Sequence, residues 1–307
     1  MLRAEAVLRR RCGERLRVSF PLATLTTFRI GGPASLYLEP EHVEDLEAAS
    51  EAIIESDIPF AILGKGSNVL VSDEGFPGLV LRLGRGYRWA ARDGDRLTAG
   101  GAMTLPALAG IALRHGLAGL EFGVAIPASL GGAVRMNAGA HGGHMADVVE
   151  RAEVFELRRG VGSFRPAADI GFAYRSTGLD DDAVVIAATA CLRPAGEVAI
   201  RAAMNAARSW RRRTQPLAEP NCGSVFTNPP GDHAARLIES VGGKGLRIGG
   251  AEVSVKHANF IVASSGARAS DVAALIDRLR ELVRKQAGVE LETEVRMIGR
   301  VDDGAPV

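Results

Sequence analysis

Several features that would assign this chain of 307 residues to a particular class of protein are missing from it. Its three cysteines are odd in number and far apart, which excludes a disulfide framework or a thiolate metal site and favours a reducing compartment. No apolar run approaches the roughly 20 residues that a membrane-spanning helix requires. The arginine-rich start at residues 9–11 is not followed by an uncharged apolar stretch. The sequence therefore predicts a cytoplasmic location without export or membrane insertion.

An excess of charge of one sign is also missing. The 37 basic and 36 acidic side chains leave a net charge of +1, which excludes the strong basic field of many nucleic-acid-binding proteins. The 47% of hydrophobic residues excludes an intrinsically disordered chain. A chain of this length predicts about two globular domains.

Lysine is scarce, and glycine is abundant. Only Lys65, Lys244, Lys256 and Lys285 are lysines, and every other basic residue is arginine. The 37 glycines have no collagen-like period. They indicate tight turns, or places where the backbone comes close to a ligand.

Hydrophobic periodicity predicts helices and short strands along the whole chain. The predicted helices cover residues 5–17, 43–56, 104–115, 197–213 and 232–241, and a last helix is expected to be capped by Ser270. The predicted strands cover residues 60–63, 69–71, 79–83, an antiparallel set within 154–192 that is clearest at 183–192, a set near 251–263, and a last strand at 289–297. Alternation in that last strand predicts that Glu294 points away from the core.

Two glycine-rich turns are the first candidates for ligand binding. The turn GKGSN at residues 64–68 lies between apolar strands, where backbone N–H groups could hold a phosphate, although an ordinary β-hairpin explains it equally well. The segment 127–143 holds a second glycine cluster. Together the two turns favour an extended ligand such as a dinucleotide, and close packing between layers is the alternative.

Other candidate residues have simple structural alternatives. His141 and His144 lie in the second glycine cluster, where we expect no neighbouring carboxylate and hence no metal. Ser224 follows a glycine in PNCGSVFTN and could be a catalytic hydroxyl or the cap of a turn. The arginines at 211–213 could steer an anion or form a solvated helix end.

Several long motifs follow one another along nearly the whole chain. The motifs are LTTFRIGGPA, LGKGSNVLVSD, GLEFGVAIPASLGGAVRMNAGAHGG, YRS, QPLAEPNCGSVFTNP, IGGAEVSVKHANFIV and LETEVRMIG. In these motifs and their order the chain resembles the type II UDP-N-acetylenolpyruvoylglucosamine reductases, the MurB family. The region 183–197 is too short for the tyrosine-bearing loop of type I members, which favours type II.

The resemblance implies an α+β fold: a two-subdomain FAD-binding fold of the vanillyl-alcohol-oxidase type, followed by a C-terminal α/β substrate domain. The implied segments are a first FAD subdomain at residues 1–84 that includes the basic N-terminal helix, a second at 85–196, a substrate domain at 197–300 and a tail at 301–307. We expect the chain to act as a monomer.

The resemblance also implies a reaction and its cofactors. NADPH would reduce non-covalently bound FAD, which would then reduce the enolpyruvyl ether of UDP-GlcNAc-enolpyruvate to UDP-N-acetylmuramate. This would be a cytoplasmic step of peptidoglycan synthesis, and thereby of cell-wall growth, cell shape and cell division.

The family's functional positions fall on specific residues of this sequence. The implied catalytic residues are Arg175, Ser224 and Glu294. The implied FAD contacts are Gly64, Lys65, Gly66, Ser67, Asn68, Ile126, Pro127, Ala128, Ser129, Gly131, Gly132 and Asn137. The implied substrate contacts are Tyr174, Asn228, Lys244 and His257, and no metal is implied.

The implied chemistry sets a condition on Glu294. An anionic carboxylate would repel the negative charge that develops on the substrate, so we expect Glu294 to have a raised pKa or a bridging cation. Two other functions stay open at this point: another flavoprotein of the same fold that acts on a small alcohol or acid, and a nucleotide-binding protein without catalytic activity.

Overall fold

The structure is a computed structural model that describes residues 1–300, and the predicted tail at 301–307 lies outside the described residues. Its helices are α1 (Leu2–Cys12), α2 (Val43–Ser56), α3 (Leu105–Arg114), α4 (Leu130–Arg135), α5 (Ala167–Ile170), α6 (Glu197–Thr214), α7 (Ala234–Ser240) and α8 (Ala269–Ala287). The predicted helices at 43–56, 104–115 and 197–213 are confirmed. The predicted helix at 232–241 is shorter, because α7 begins at Ala234 and ends at Ser240.

The strands are mostly short. They are β1 (Leu16–Pro21), β2 (Pro33–Leu38), β3 (Phe60–Ile62), β4 (Val69–Val71), β5 (Phe76–Leu81), β6 (Ala90–Asp93), β7 (Arg96–Gly100), β8 (Leu117–Ala118), β9 (Gly139–Ala140), β10 (Gly143–His144), β11 (Val149–Glu156), β12 (Val161–Pro166), β13 (Ala183–Cys191), β14 (Arg193–Pro194), β15 (Arg247–Ile248), β16 (Ala251–Val253), β17 (Ile261–Ala263) and β18 (Arg296–Ile298). The predicted strand at 79–83 lies earlier in the chain, as β5.

Contacts divide the chain into two compact units. Unit 1 comprises Met1–Val18, Leu36–Lys65 and Gly78–Arg211, and unit 2 comprises Ser19–Ser35, Gly66–Pro77 and the chain from Arg212 on. The turn at 64–68 therefore passes from unit 1 to unit 2 after Lys65. The predicted segments 1–84, 85–196 and 197–300 were defined by the ligand that each is expected to bind, and not by contacts between residues. They therefore stay predictions.

The five-stranded sheet of unit 1 is antiparallel, with strand order β12-β11-β13-β7-β6. Its central strand β13 is a nearly continuous apolar run, as expected for a strand covered on both faces. Val185 belongs to one hydrophobic core with residues of α3 and α4. Val184 and Ile186 point the other way and belong to a second core with residues of α1 and α2. The predicted antiparallel strands are thus confirmed, and they give unit 1 two cores.

Helix α1 packs along α2 in unit 1. Val7 and Leu8 of α1 are buried in the second core of this unit. The arginines of α1 and of the following turn face the acidic residues of α2: Arg3 pairs with Glu55, Arg10 and Arg11 with Glu51, and Arg15 with Asp45. The order of these pairs shows that the two helices are antiparallel. The predicted basic helix at 5–17 is correct only in part, because α1 ends at Cys12 and β1 begins at Leu16.

Unit 2 has its own hydrophobic core, to which α8 contributes one face. The periodic residues Val272, Ile276, Leu279 and Val283 of α8 are all buried there. Strands β15, β16 and β17 form a small antiparallel sheet. Strand β18 pairs in parallel with β4, with Met297 opposite Leu70.

Two expectations about unit 2 are wrong. The last strand does not cover 289–297, because β18 begins only at Arg296, although Leu291 and Val295 are buried as the alternation predicts. Ser270 does not cap α8, because the helix already begins at Ala269. The first amide groups of α8 instead donate to the distant Asp73 carboxylate, from Ala269 at 2.7 Å and from Ser270 at 3.1 Å.

The Asp73 cap leads to a testable prediction. Partial burial alone would raise the pKa of Asp73, but the two amide hydrogen bonds and the nearby Arg268 guanidinium lower it below its ordinary value. The charged cap therefore stabilises the fold above pH ~4, and this contribution is lost as the pH falls through the lowered pKa. We expect Asp73→Asn to lower the free energy of unfolding by about 1 kcal/mol at pH 7 and to show a smaller difference in acid.

Chemical denaturation at several pH values measures this effect. Asp93→Asn, in the exposed end of β6, is the control that changes the charge in the same way without a helix cap. Equal losses for the two variants would contradict the assignment of the cap.

Candidate active site

Two glycine-rich loops face each other in unit 1. Gly64 follows β3, and Ser129 is the residue before α4. A β-carbon at Gly64 would lie 2.7 Å from the Ser129 hydroxyl oxygen and 3.8 Å from the Cα atom of Gly132. Glycine at 64 thus lets the two loops approach each other closely. Glycine-rich loops of this kind are typical of places where the backbone comes close to the diphosphate of a dinucleotide.

The second loop is fixed to the sheet of unit 1. The Leu130 amide donates to the Met103 carbonyl at 2.7 Å, and the Gly131 amide donates to the Gly101 carbonyl at 2.9 Å. A β-carbon at Gly131 would lie 2.8 Å from the carbonyl oxygen of Val185 in β13. Close packing between layers therefore explains Gly131, and the contact of Gly64 with Ser129 is equally close.

The turn at 64–68 is not a β-hairpin, so that alternative is wrong. Strand β3 before it pairs in parallel with β5, and strand β4 after it pairs in parallel with β18. Gly66 has a φ of 68°, and a β-carbon there would overlap the Leu25 carbonyl. Its own carbonyl accepts the Thr27 amide at 2.9 Å. Gly66 thus serves the packing of unit 2.

Arg175 lies in a tight turn of unit 1. Its φ of 57° is uncommon for a residue with a side chain. Its guanidinium donates to the Gly139 carbonyl at 3.0 Å and lies 5.1 Å from the centre of the Tyr174 ring. Arg175 is half-buried, whereas Tyr174 is 54% exposed. The turn thus holds a planar array of donors, which is suited to binding a carboxylate.

Asn137 connects the second glycine cluster with the Arg175 turn. It is buried, and its φ is 42°. Its Nδ2 donates to the Ala173 carbonyl at 2.8 Å, and its Oδ1 accepts the Ala146 amide at 2.9 Å. The predicted FAD contact Asn137 therefore has a structural role in addition to any role toward a ligand.

We expect Asn137→Ala to lower the free energy of unfolding by ~1–2 kcal/mol, because it removes both hydrogen bonds of a buried carboxamide. Thermal or chemical unfolding measures the loss. Asn205→Ala, on the exposed side of α6, is the control. If the unfolding midpoint of Asn137→Ala equalled that of the control variant, water would replace the Asn137 carboxamide without loss of stability.

Ser224 and Glu294 come together in unit 2. The Glu294 amide donates to the carbonyl of Val225, the residue after Ser224, at 2.8 Å. Asn68 Nδ2 donates to the Glu294 carbonyl at 3.0 Å. Burial raises the pKa of the neighbouring Cys222 thiol, and the Glu294 carboxylate raises it further, so this thiol is protonated at neutral pH. The backbone thus brings two of the three implied catalytic residues together beside one of the implied FAD contacts.

Lys244 and His257 form a second group in unit 2. Lys244 Nζ lies 2.7 Å from the Glu239 carboxylate. Burial lowers the pKa of His257, and the Lys244 ammonium lowers it further. His257 Nδ1 accepts the Asn259 amide at 3.3 Å, so the neutral ring carries its proton on Nε2. An ammonium and an N–H donor in one place suit an anionic substrate group.

The implied site residues are divided between the units, and each unit holds a coherent part. Unit 1 holds Gly64, Lys65, Ile126, Pro127, Ala128, Ser129, Gly131, Gly132, Asn137, Tyr174 and Arg175. Unit 2 holds Gly66, Ser67, Asn68, Ser224, Asn228, Lys244, His257 and Glu294. Like Lys244 and His257, the implied substrate contact Asn228 has a partner within the protein, since its Oδ1 accepts the Ala234 amide at the start of α7 at 3.1 Å.

Residues 1–300 contain no group of three His, Cys, Asp or Glu side chains that could hold a metal ion. The expectation that no carboxylate neighbours the two histidines is wrong, because His144 Nδ1 lies 3.3 Å from the Asp147 carboxylate. The His141 ring packs edge-on against Trp210, with centroids 5.1 Å apart. In the same part of the chain, no helix has the length and hydropathy to cross a membrane.

Sequence analysis missed two asparagines beside Ser224. Asn221 Oδ1 accepts the Gly223 amide at 2.9 Å. Asn259 is 4% exposed and makes two side-chain hydrogen bonds with the backbone of Phe226. An Asn two residues before a glycine is a local turn signal. For Asn259, the available signal was its carboxamide within the mostly apolar run HANFIV, which indicates a buried polar group with hydrogen-bond partners.

Comparisons with known proteins decide the family. Residues 34–161 match the FAD binding domain, and residues 215–298 match the UDP-N-acetylenolpyruvoylglucosamine reductase C-terminal domain. The UDP-N-acetylenolpyruvoylglucosamine reductase 2 of Symbiobacterium thermophilum is 48% identical over 93% of this chain and 92% of its own length. The reductase of Anaeromyxobacter sp. strain Fw109-5 is 48% identical over 97% of this chain and 92% of its own. The chain belongs to the UDP-N-acetylenolpyruvoylglucosamine reductase family.

Solved structures agree with this family. The crystal structure of the reductase (MurB) from Thermus caldophilus has a TM-score of 0.81 and 37% identity, over 92% of this chain and 100% of the other. The wild-type glucose dehydrogenase Phl p 4.0202 shares the fold alone, with a TM-score of 0.51 and 14% identity over 74% of this chain and 53% of its own. The α+β fold with an FAD-binding part of the vanillyl-alcohol-oxidase type is confirmed. This family member is a flavin-dependent oxidoreductase, and the match at 215–298 argues against another flavoprotein of the same fold.

Proposed function

We propose that this chain reduces the enolpyruvyl ether of UDP-GlcNAc-enolpyruvate to UDP-N-acetylmuramate, with NADPH as the reductant. The observation that carries the proposal is the backbone arrangement in unit 2 that joins Ser224, Glu294 and Asn68, in a chain of this family. A nucleotide-binding protein without catalytic activity would have no need for backbone bonds that bring residues 224 and 294 together.

FAD binds through the facing loops around Gly64 and Ser129, where the bare backbone fits a diphosphate. Bound FAD supplies the hydride for the reduction. The chain itself orients the substrate, stabilises the charge that develops on it and delivers the proton.

Addition of a hydride to the methylene carbon of the enolpyruvyl group breaks its C=C π bond and leaves an electron pair on the adjacent carbon, delocalised into the carboxylate. Arg175 binds this carboxylate, and its fork of donors stabilises the enolate-like charge more than the ground state. The Ser224 hydroxyl then gives its proton to the carbon, which completes the saturated ether. This step requires close placement of the hydroxyl rather than unusual acidity, because a hydroxyl is a stronger acid than the C–H bond that forms.

Glu294 assists by donating a hydrogen bond, either in its protonated form or through a water molecule that it holds, or by holding a bridging cation. An anionic carboxylate would oppose the charge on the substrate, so a raised pKa or a bridging cation stays our prediction for this group. Lys244 and His257 bind an anionic part of the substrate. The proposed setting is the cytoplasm, where a monomer of the enzyme supplies a precursor of peptidoglycan for wall growth and cell division.

An anaerobic two-step titration tests the proposed function. The purified protein should be yellow, should lose the flavin colour when NADPH is added, and should regain it when UDP-GlcNAc-enolpyruvate follows. Flavin that is bleached by a small alcohol or hydroxy acid in place of NADPH, and whose colour does not return with UDP-GlcNAc-enolpyruvate, would overturn the proposal, as would protein that binds FAD but is not bleached by NADPH.

A further inference from the structure

We propose that Asn259 is a positioning residue for the proton-transfer half of the reaction, because its hydrogen bonds fix the backbone next to Ser224. This inference rests on the proposed function. It concerns how unit 2 fixes the hydroxyl, which none of the residues implied by the family resemblance explains.

All four polar groups of Asn259 are used. Its side chain pairs with Phe226 in both directions: Oδ1 accepts the Phe226 amide at 2.9 Å, and Nδ2 donates to the Phe226 carbonyl at 2.8 Å. Its own carbonyl accepts the Val225 amide at 2.9 Å, and its own amide donates to His257 Nδ1 at 3.3 Å. One buried residue therefore fixes the two residues that follow Ser224 and the imidazole of a proposed substrate contact.

The same backbone segment carries Glu294. The Val225 carbonyl accepts the Glu294 amide at 2.8 Å, and Phe226 forms a β-bridge with Thr293. A shift of Val225 and Phe226 would thus move the hydroxyl and the carboxyl together. Asn259 connects this segment to His257, since its side chain bonds to Phe226 and its backbone amide donates to the imidazole.

A carboxamide suits this task better than another polar group. It presents one donor and one acceptor in a plane, which matches the N–H and C=O of a peptide group. A carboxylate of the same shape would place an acceptor against the Phe226 carbonyl, and the resulting repulsion in a buried place would displace the strand. Displacements of about 1 Å near a reacting group cost roughly 100-fold in rate.

The test is a double-mutant cycle on the holoenzyme, with the two half-reactions measured separately by stopped flow. We expect Asn259→Asp to leave flavin reduction by NADPH unchanged and to slow reoxidation by UDP-GlcNAc-enolpyruvate by ~10- to 100-fold. In the Ser224→Ala background the same change should slow reoxidation clearly less than it does in the wild type, because one of the two groups that it displaces is already gone. Asn205→Asp, at an exposed position of α6, is the matched control and should leave both rates unchanged.

Hydrogen exchange gives a readout that is independent of turnover. Peptides that cover residues 222–228 and 291–296 should exchange faster in Asn259→Asp, whereas peptides from α8 should not.

Equal slowing of both half-reactions, or losses that add in the double variant, would show a general structural role and overturn the proposal. If Asn259→Asp yields no soluble protein, Asn259→Ser is judged by the same cycle. Failure of the wild-type enzyme to reoxidise with this substrate would reject the proposed function and leave the exchange result to decide the role of Asn259.

Discussion

Ser224→Ala is expected to slow reoxidation of the flavin by UDP-GlcNAc-enolpyruvate by ~10²- to 10⁴-fold, the range for loss of a positioned proton donor. Flavin reduction by NADPH should keep nearly its normal rate, because hydride transfer from the nicotinamide requires no proton from this hydroxyl. The fold should be unaffected, since Ser224 is only half-buried and its neighbours are held by Asn221 and Asn259. Anaerobic stopped flow measures the two rates separately.

The control for this variant is Ser265→Ala, at an exposed turn of unit 2. It should leave both half-reactions unchanged. If Ser224→Ala slows both half-reactions to the same degree, the hydroxyl orients a shared ligand rather than donating a proton. A reoxidation rate equal to that of the wild type would assign the proton to another group, and Glu294 would be the first candidate because its backbone lies beside Val225.

Local signals predicted the helices of this fold well. Apolar spacing, together with cap and break signals, located α2, α3 and α6, and each of these helices buries one face against a core. The cap of α8 could not be found in this way. Ser270 is close in sequence and has the right chemistry, but the capping carboxylate belongs to Asp73, almost 200 residues earlier in the chain. Sequence spacing does not show which distant side chain reaches a helix end.

The same limit applies to the candidate site. The motif around Ser224 identified the hydroxyl, and the motif at the end of the chain identified Glu294, but neither showed that the Glu294 amide donates beside Ser224. Alternation overestimated the length of the last strand because it reports burial, whereas β18 is limited by its pairing with the three-residue strand β4. The GKGSN turn was ambiguous for a related reason, since only the pairing partners of its flanking strands exclude a hairpin.

Gly64→Val is expected to yield protein that folds but retains less than about a tenth of the normal flavin. A β-carbon at this position would already lie 2.7 Å from the Ser129 hydroxyl oxygen, and the two methyl groups of valine would displace one loop from the other. A tenfold loss of affinity corresponds to about 1.4 kcal/mol, far less than the cost of displacing a diphosphate from its backbone donors. The ratio of flavin to protein absorbance in the purified variant, and titration of the apoprotein with FAD, measure the loss.

Gly162→Val is the matched control, because its β-carbon would meet only the Val154 carbonyl, at 3.9 Å, on an exposed strand of the same unit. It should retain its full flavin content.

Two alanine variants test the same contact with a smaller change. Gly64→Ala should bind FAD weakly, and adding Ser129→Ala should restore part of the affinity, because the oxygen that the new β-carbon meets is removed. Full flavin content in Gly64→Val would mean that FAD does not enter between the loops. The glycine at 64 would then serve only the packing of Gly64 against Ser129, as the alternative interpretation of the motif holds.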